Sequence, residues 1–355
     1  MIKIFIGPNT YFNDNLPKNQ NVNYIYDIFP ILEGNVSHGT CKNMENLIIY
    51  NEDYSRLSDS GMNAFISIIK QIDPKNIYIH NPPQIIINQL KQHYHNEVTI
   101  EYFSYPQFKI EHLKELKKEF NNKILGQEKV KEKLLPQLYK LAKGYNNHKP
   151  VIILLYGPSG VGKTETAKYL AEIMKENLLR IQFSMHQNEY SYSYIFGGNH
   201  IIQSLGKDLI NRESNIILFD EFDKVSSNIY SAFYQLFDEG VFIDPTYTVK
   251  LTNSVIICTS NYLNLSDIKK NLGEPIYNRF DSCIKYNEID KRIIEYVIKE
   301  KLKKIYEKLT DEEKSIIDIS KCEENITKYS YKFKNIREID KIIEEYIYLR
   351  IVEKI

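Results

Sequence analysis

Gly157-Pro158-Ser159-Gly160-Val161-Gly162-Lys163-Thr164 fits G-x-x-x-x-G-K-[ST], a loop that joins a strand to a helix and wraps a phosphate. Its flanks fit as well. Before it runs Val151-Ile152-Ile153-Leu154-Leu155-Tyr156, a continuous apolar stretch of the kind shown by a strand covered on both faces. After it, Ala167, Leu170, Ala171 and Met174 are spaced along one helical face. Glycines let backbone N–H groups approach phosphate oxygens with no Cβ in the way, and the helix N-terminus adds a favourable dipole. Lys163 is placed to reach the β- and γ-phosphates, and Thr164 offers its hydroxyl to Mg2+. The alternative is an incidental glycine-rich turn, and the flanks argue against it. The stretch predicts a nucleoside triphosphate site.

A second stretch, Ile216-Ile217-Leu218-Phe219-Asp220-Glu221, is an apolar strand ending in adjacent carboxylates. Alone that pattern is common. Downstream of a phosphate loop it reads as a Walker B element, with Asp220 holding Mg2+ and Glu221 polarising the attacking water. Val255-Ile256-Ile257-Cys258-Thr259-Ser260-Asn261 follows. Asn261 is placed to orient that water, or else to cap a helix. Beyond Pro275-Ile276-Tyr277-Asn278-Arg279-Phe280-Asp281 the chain is charged and helical from about Asp290 to Lys308. A short strand candidate at Ile316-Ile317-Asp318-Ile319 and a closing helix from about Arg337 complete it.

Upstream, strand candidates at Ile2–Ile6, Leu47–Tyr50, Asn76–His80 and Val98–Phe103 alternate with helical patterns, which predicts a small parallel sheet. Gly7-Pro8-Asn9-Thr10 looks like the start of a phosphate loop but lacks its lysine, so a simple turn is favoured. Residues 107–123 read as a solvated connector helix. With 355 residues, the length suggests roughly two domains. Lys+Arg and Asp+Glu both total 46, so no net basic charge argues for nucleic acid as a partner. Apolar runs are too short to span a membrane. The four cysteines, Cys41, Cys258, Cys283 and Cys322, form no C-x-x-C pair. Reduced thiols and a cytoplasmic location are the simplest expectation.

From Ile124 onward the order of these elements resembles the Clp/Hsp100 branch of the AAA+ ATPases, and most of all the second nucleotide-binding module of ClpB-type disaggregases. Ile124-Leu125-Gly126-Gln127 looks like the adenine-side segment, and the phosphate loop with its trailing Glu165 matches that of the branch. Leu218 to Lys224 resembles its Walker B and following turn, and Thr259-Ser260-Asn261 its sensor 1. Tyr277-Asn278-Arg279-Phe280-Asp281 resembles the arginine-finger segment, and Asn335-Ile336-Arg337 stands where that branch has its sensor 2. The resemblance implies a P-loop AAA+ fold of class α/β, a parallel sheet with flanking helices plus a mainly helical lid. It divides the chain from Ile124 onward into the large ATPase subdomain (124–287) and the lid (288–355), while the strand and charge patterns upstream give a small α/β N-terminal domain (1–106), which resembles no known family, and a connector (107–123). It also implies ATP and Mg2+ as cofactors and a homo-oligomeric, hexameric ring. In such a ring Arg279 would complete the neighbour's site and Arg337 would link the lid to nucleotide.

One departure bears on function. Unfoldases of this branch carry Gly-Tyr-Val-Gly in a pore loop, whereas the corresponding Phe196-Gly197-Gly198-Asn199-His200-Ile201 is shorter and lacks it. No loop of the type that docks a ClpP-like peptidase is visible either. Two readings stay open. One is a protein remodeller, the other a nucleotide-controlled switch with one dedicated partner bound through the N-terminal domain.

Overall fold

Among the first hundred residues, short apolar runs become the strands of a five-stranded, all-parallel sheet in the order Val22–Tyr24, Asn46–Ile49, Asn76–His80, Ile2–Ile6, Val98–Tyr102. The computed structural model describes residues 1–18, 21–32, 44–185, 190–198, 200–333 and 335–354, so Cys41 and Asn199 lie outside the described residues. The elements are β1 (Ile2–Ile6), α1 (Asn9–Asp14), β2 (Val22–Tyr24), α2 (Ile25–Leu32), β3 (Asn46–Ile49), α3 (Asp59–Asn63), α4 (Phe65–Ile72), β4 (Asn76–His80), α5 (Gln84–Tyr94) and β5 (Val98–Tyr102). Phe65, Ile69 and Ile72 bury one side of α4 against Ile4, Leu47 and Ile79 of the sheet.

Two long helices follow, α6 (Ile110–Lys123) and α7 (Glu128–Ala142). The sequence suggested a solvated connector for the first. Instead α6 buries Leu116 and Phe120 completely, in the core that also holds Val151, Ile153 and Leu155, with Leu113 packed alongside. These three fall at helical spacing, and the charges occupy the opposite face. The charge run describes only half of this helix.

The second body is formed by β6 (Val151–Tyr156), α8 (Lys163–Met174), β7 (Leu179–Gln182), α9 (Tyr190–Phe196), α10 (Leu205–Ile210), β8 (Ile216–Asp220), α11 (Tyr234–Glu239), the hairpin β9 (Val241–Ile243) and β10 (Thr248–Lys250), β11 (Val255–Ser260), α12 (Leu265–Leu272), α13 (Glu274–Tyr277) and β12 (Ser282–Lys285). Its sheet is parallel, in the order β12-β6-β11-β8-β7. Period-two alternation divides β6 between two cores. Val151, Ile153 and Leu155 face one, and Ile152, Leu154 and Tyr156 the other. Both faces are covered, which is why the sequence shows an unbroken apolar run.

The lid comprises α14 (Lys291–Lys308), α15 (Asp311–Ile316), α16 (Ile319–Thr327) and α17 (Ile336–Val352). The strand expected at 316–319 is instead the break between two helices. Asp318 caps α16 by accepting from the Lys321 N–H at 3.1 Å, and Ile317 is buried in the core. An apolar run too short for either period is ambiguous, and here the capping aspartate decides it. Ile339, Ile343, Ile347 and Ile351 recur every four residues along the buried side of α17. Among the described residues no helix is long and apolar enough to cross a membrane.

Candidate nucleotide site

The phosphate loop leaves β6 at Gly157 (φ +138°) and enters α8 through Gly162 (φ +104°). Both lie where a side chain is strained, and a Cβ on Gly157 would collide with the Tyr286 carbonyl. Lys163 folds back over this loop. Its Nζ donates to the carbonyls of Gly157 (2.7 Å) and Pro158 (2.6 Å) and to Asn261 Oδ1 (3.1 Å). Burial lowers the Lys163 ammonium to about 8. Asp223, Asp220 and Glu221 oppose that shift, and Arg337 reinforces it. A phosphate brought to this point meets a desolvated cation already placed.

Three strand ends converge beside it. Thr164 Oγ1 lies 3.3 Å from Asp220 Oδ1, so a hydroxyl and a carboxylate face a common point. This pair suits Mg2+, which takes few protein ligands and draws the others from phosphates and water. Asp220 is also held by the Thr259 hydroxyl and by Arg180, whose Nη2 and Nε lie 2.6 and 2.9 Å from Oδ2. Glu221 stands just past the strand at φ 55°, its N–H donating to Thr259 Oγ1 at 2.8 Å, and Gln182 reaches its carboxylate at 3.4 Å. Burial raises the Asp223 carboxyl above its usual range, and its Oδ1 has no partner among the described residues. Asp223 Oδ2 accepts from the Asn261 N–H at 3.4 Å.

The lid closes over the loop. Ile336 N donates to the Gly160 carbonyl at 3.4 Å, and a Cβ on Gly160 (φ +76°) would stand 2.5 Å from Asn335 Cβ. Asn335 caps α17 by accepting from Glu338 N at 3.0 Å, which places Arg337 in the first turn, beside Lys163 electrostatically. Asp340, a possible partner for that arginine, is paired instead with Lys301 at 2.8 Å. On the other flank Ile124 is buried, its Cγ2 lying 3.4 Å from where a Gly162 Cβ would stand. Leu125 packs against the same core, and Gln127 exchanges two hydrogen bonds with the Asn287 backbone at 2.9 and 3.2 Å.

Arg279 is not gathered into this cluster. Its Nε pairs with Asp238 at 2.9 Å, its Nη1 donates to the Pro275 carbonyl at 2.7 Å, and its guanidinium stacks on Tyr234. Asp281, the partner that its sequence position suggests, accepts from Ile152 N instead. Sequence reasoning missed Arg180, Gln182 and Thr259 as neighbours of the carboxylates, and Tyr286, whose hydroxyl bonds Thr166 at 2.6 Å beneath the loop. Arg180 and Gln182 left a signal: they are polar residues at alternate positions of an otherwise apolar core strand.

Residues 148–314 match the family described as AAA domain (Cdc48 subfamily). The chaperone protein ClpB of Clostridium tetani (strain Massachusetts / E88) is 25% identical over 343 residues, covering 85% of this chain and 40% of its own length. The ATP-dependent Clp protease ATP-binding subunit ClpL of Staphylococcus aureus (strain MRSA252) is 29% identical over 213 residues, covering 53% of this chain and 30% of its own. This chain therefore spans less than half the length of either relative. A closed-state reconstruction of Hsp104 with ATPyS and FITC casein superposes with a TM-score of 0.57 at 14% identity, covering 99% of this chain and 88% of that one, which speaks for the fold. Residues 148–314 thus match an AAA domain, and motif order, fold and relatives together make the chain similar to the AAA+ ATPases of the Clp/Hsp100 branch.

Proposed function

We propose that the protein hydrolyses ATP between the ATPase sheet and the lid, in a homo-oligomeric ring, to act on a protein partner. The observation that carries this reading is the convergence of Lys163, Thr164, Asp220, Glu221 and Asn261 around one phosphate loop. Mg2+, when bound by Thr164 and Asp220, supplies charge neutralisation on the phosphates. Lys163 exchanges its two carbonyl contacts for phosphate oxygens. Glu221 accepts the proton of the attacking water while Asn261 aligns it. Arg279 is held by Asp238 and Tyr234 outside the cluster around Lys163, as suits a residue presented to a neighbour's γ-phosphate. Arg337 couples the lid to the nucleotide's state. The test is Glu221→Gln, which should bind ATP and lose turnover. Unchanged turnover would refute Glu221 as the base.

One observation favours the dedicated-switch alternative over threading. At the position of the missing pore motif, His200 is not free. Its Nε2 lies 2.7 Å from the Leu57 carbonyl of the N-terminal unit, and its Nδ1 3.6 Å from Asp59. A segment fastened in this way suits signalling to a partner more than gripping a moving polypeptide. A cytoplasmic location and partner docking on the N-terminal unit belong to this same proposal.

A further inference from the structure

The two five-stranded sheets of this chain are built to one plan. Both are parallel, and ranking the strands within each sheet by sequence gives the order 2-3-4-1-5 for the first and 5-1-4-3-2 for the second, the same order from opposite edges. The agreement extends to single residues. Gly7 leaves β1 at φ +147° as Gly157 leaves β6 at φ +138°. In each, a Cβ would strike the residue just past the fifth strand, Phe103 in one and Tyr286 in the other. Phe103 N donates to Ile6 O at 2.8 Å, and Tyr286 N to Tyr156 O at 2.7 Å.

Strand registers carry the alignment across. Ile2 pairs with Ile77 and Ile77 with Leu47, just as Ile152 pairs with Ile256 and Ile256 with Ile217. Counting on from these pairs sets Tyr50 at the place of Asp220, Asn51 at that of Glu221 and His80 at that of Thr259. The metal carboxylate and the catalytic carboxylate are both replaced. The phosphate loop is shortened too. Only Gly7 and Pro8 separate β1 from α1, where Gly157 to Gly162 separate β6 from α8, and no lysine opens the helix.

What occupies this end of the first sheet is the rest of the chain. Asn51 Nδ2 donates to the Tyr247 hydroxyl at 3.1 Å and to the Asn81 carbonyl at 2.7 Å. Asn81 Nδ2 reaches Asn211 Oδ1 at 2.7 Å, while its Oδ1 accepts from Gly7 N at 2.9 Å. Gln84 N donates to the Thr246 carbonyl at 2.8 Å. Arg212 stacks on Tyr105 with its guanidinium carbon 3.9 Å from the ring centre, and Tyr105 Oη donates to Arg212 O at 3.0 Å. Asn51, Asn81, Arg212 and Tyr247 are all at least 95% buried.

We propose that the N-terminal unit is an ATPase-type module that takes no nucleotide and uses its phosphate end as a clamp. Its ligand is this chain's own ATPase body, gripped at the turn of the β9–β10 hairpin and just past α10. Buried amide-to-hydroxyl and amide-to-amide bonds serve a fixed contact, because leaving them unmade on opening carries a desolvation cost. The N-terminal unit therefore moves with residues 205–250 rather than as a tethered domain. The proposal rests on the ATPase reading of the second body, and the experiment separates the two.

Full-length protein is titrated with a fluorescent ATP analogue and Mg2+, alongside Lys163→Ala, and hydrogen exchange is followed at residues 241–250 in wild type, Asn51→Ala and Tyr247→Phe. One nucleotide per chain, lost entirely in Lys163→Ala, is expected. A second site, or binding that survives in Lys163→Ala, overturns the proposal. No binding in the wild type would sink the ATPase reading, while the exchange data would still judge the clamp. Tyr247→Phe keeps the ring and removes one bond, so it tests the clamp even if Asn51→Ala fails to fold. Both variants should raise hairpin exchange by roughly fivefold or more, as the loss of one hydrogen bond implies, with nucleotide stoichiometry unchanged. Exchange equal to wild type in Tyr247→Phe overturns the clamp.

Discussion

Gly160→Ala tests whether the lid and the phosphate loop act as one site. The substitution does two separable things. It places a side chain at φ +76°, which costs about 1–2 kcal/mol. It also puts a methyl 2.5 Å from Asn335 Cβ and 2.9 Å from its Cγ, so the residue that caps α17 must retreat. Losing that cap costs about 1 kcal/mol. Together the closed arrangement loses roughly 2–3 kcal/mol. If nucleotide needs that closure, its dissociation constant rises roughly 30- to 150-fold. Titration with a fluorescent ATP analogue reads the change, and a thermal melt shows whether the fold survives. The decisive variant is Gly160→Ala combined with Asn335→Gly, because glycine removes the opposing Cβ and costs only about a few tenths of a kcal/mol as a cap. It should regain roughly threefold of the lost affinity, leaving the backbone strain behind. Wild-type affinity in the single variant, or no recovery in the pair, would refute the lid contact as part of the site.

Arg279→Ala should leave ATP affinity unchanged and lower turnover by roughly 10³-fold or more. A steady-state assay beside a binding titration checks this, and lost affinity at full turnover would argue against a role at a neighbour's site. Arg180→Ala frees Asp220 from its close cation, so Mg2+-dependent nucleotide affinity should change by roughly tenfold; an unaltered magnesium titration would make the ion pair incidental. For His80, burial holds the imidazole below its ordinary value of 6.5. The unfolded chain then binds the proton more readily, so stability is full above pH 6.5 and falls as the pH drops below it. Denaturant midpoints from pH 7.5 to 5 should decline more steeply in wild type than in His80→Gln, and parallel curves would dismiss His80 as the titrating group.

How much of this was legible in the sequence depends on the reach of each interaction. Gly157 to Thr164, Asp220 with Glu221, and Asn261 each sit at the end of an apolar strand, so local pattern and position suffice to find them. Arg180 escapes because its meaning lies in Asp220, forty residues away on the neighbouring strand. The connector misleads because its charges are consecutive in sequence, while the buried Leu116 and Phe120 show only when the helix is wound. β2 and α1, with three and six residues, are too short for either period to register. The likeness between the two bodies is hidden for a stronger reason. Strand order and register are properties of pairing between distant segments, and the residues that carry the chemistry in one body are those replaced in the other. Sequence comparison looks for retained chemistry and so passes over Tyr50 and Asn51. Backbone constraint is retained instead: a strand must still leave the sheet beside the fifth strand without a Cβ, and Gly7 is the residue that permits it. Geometry is thus shared between the two sheets where chemistry is not, and a lone glycine after a first strand marks the likeness that a lysine would otherwise have signalled.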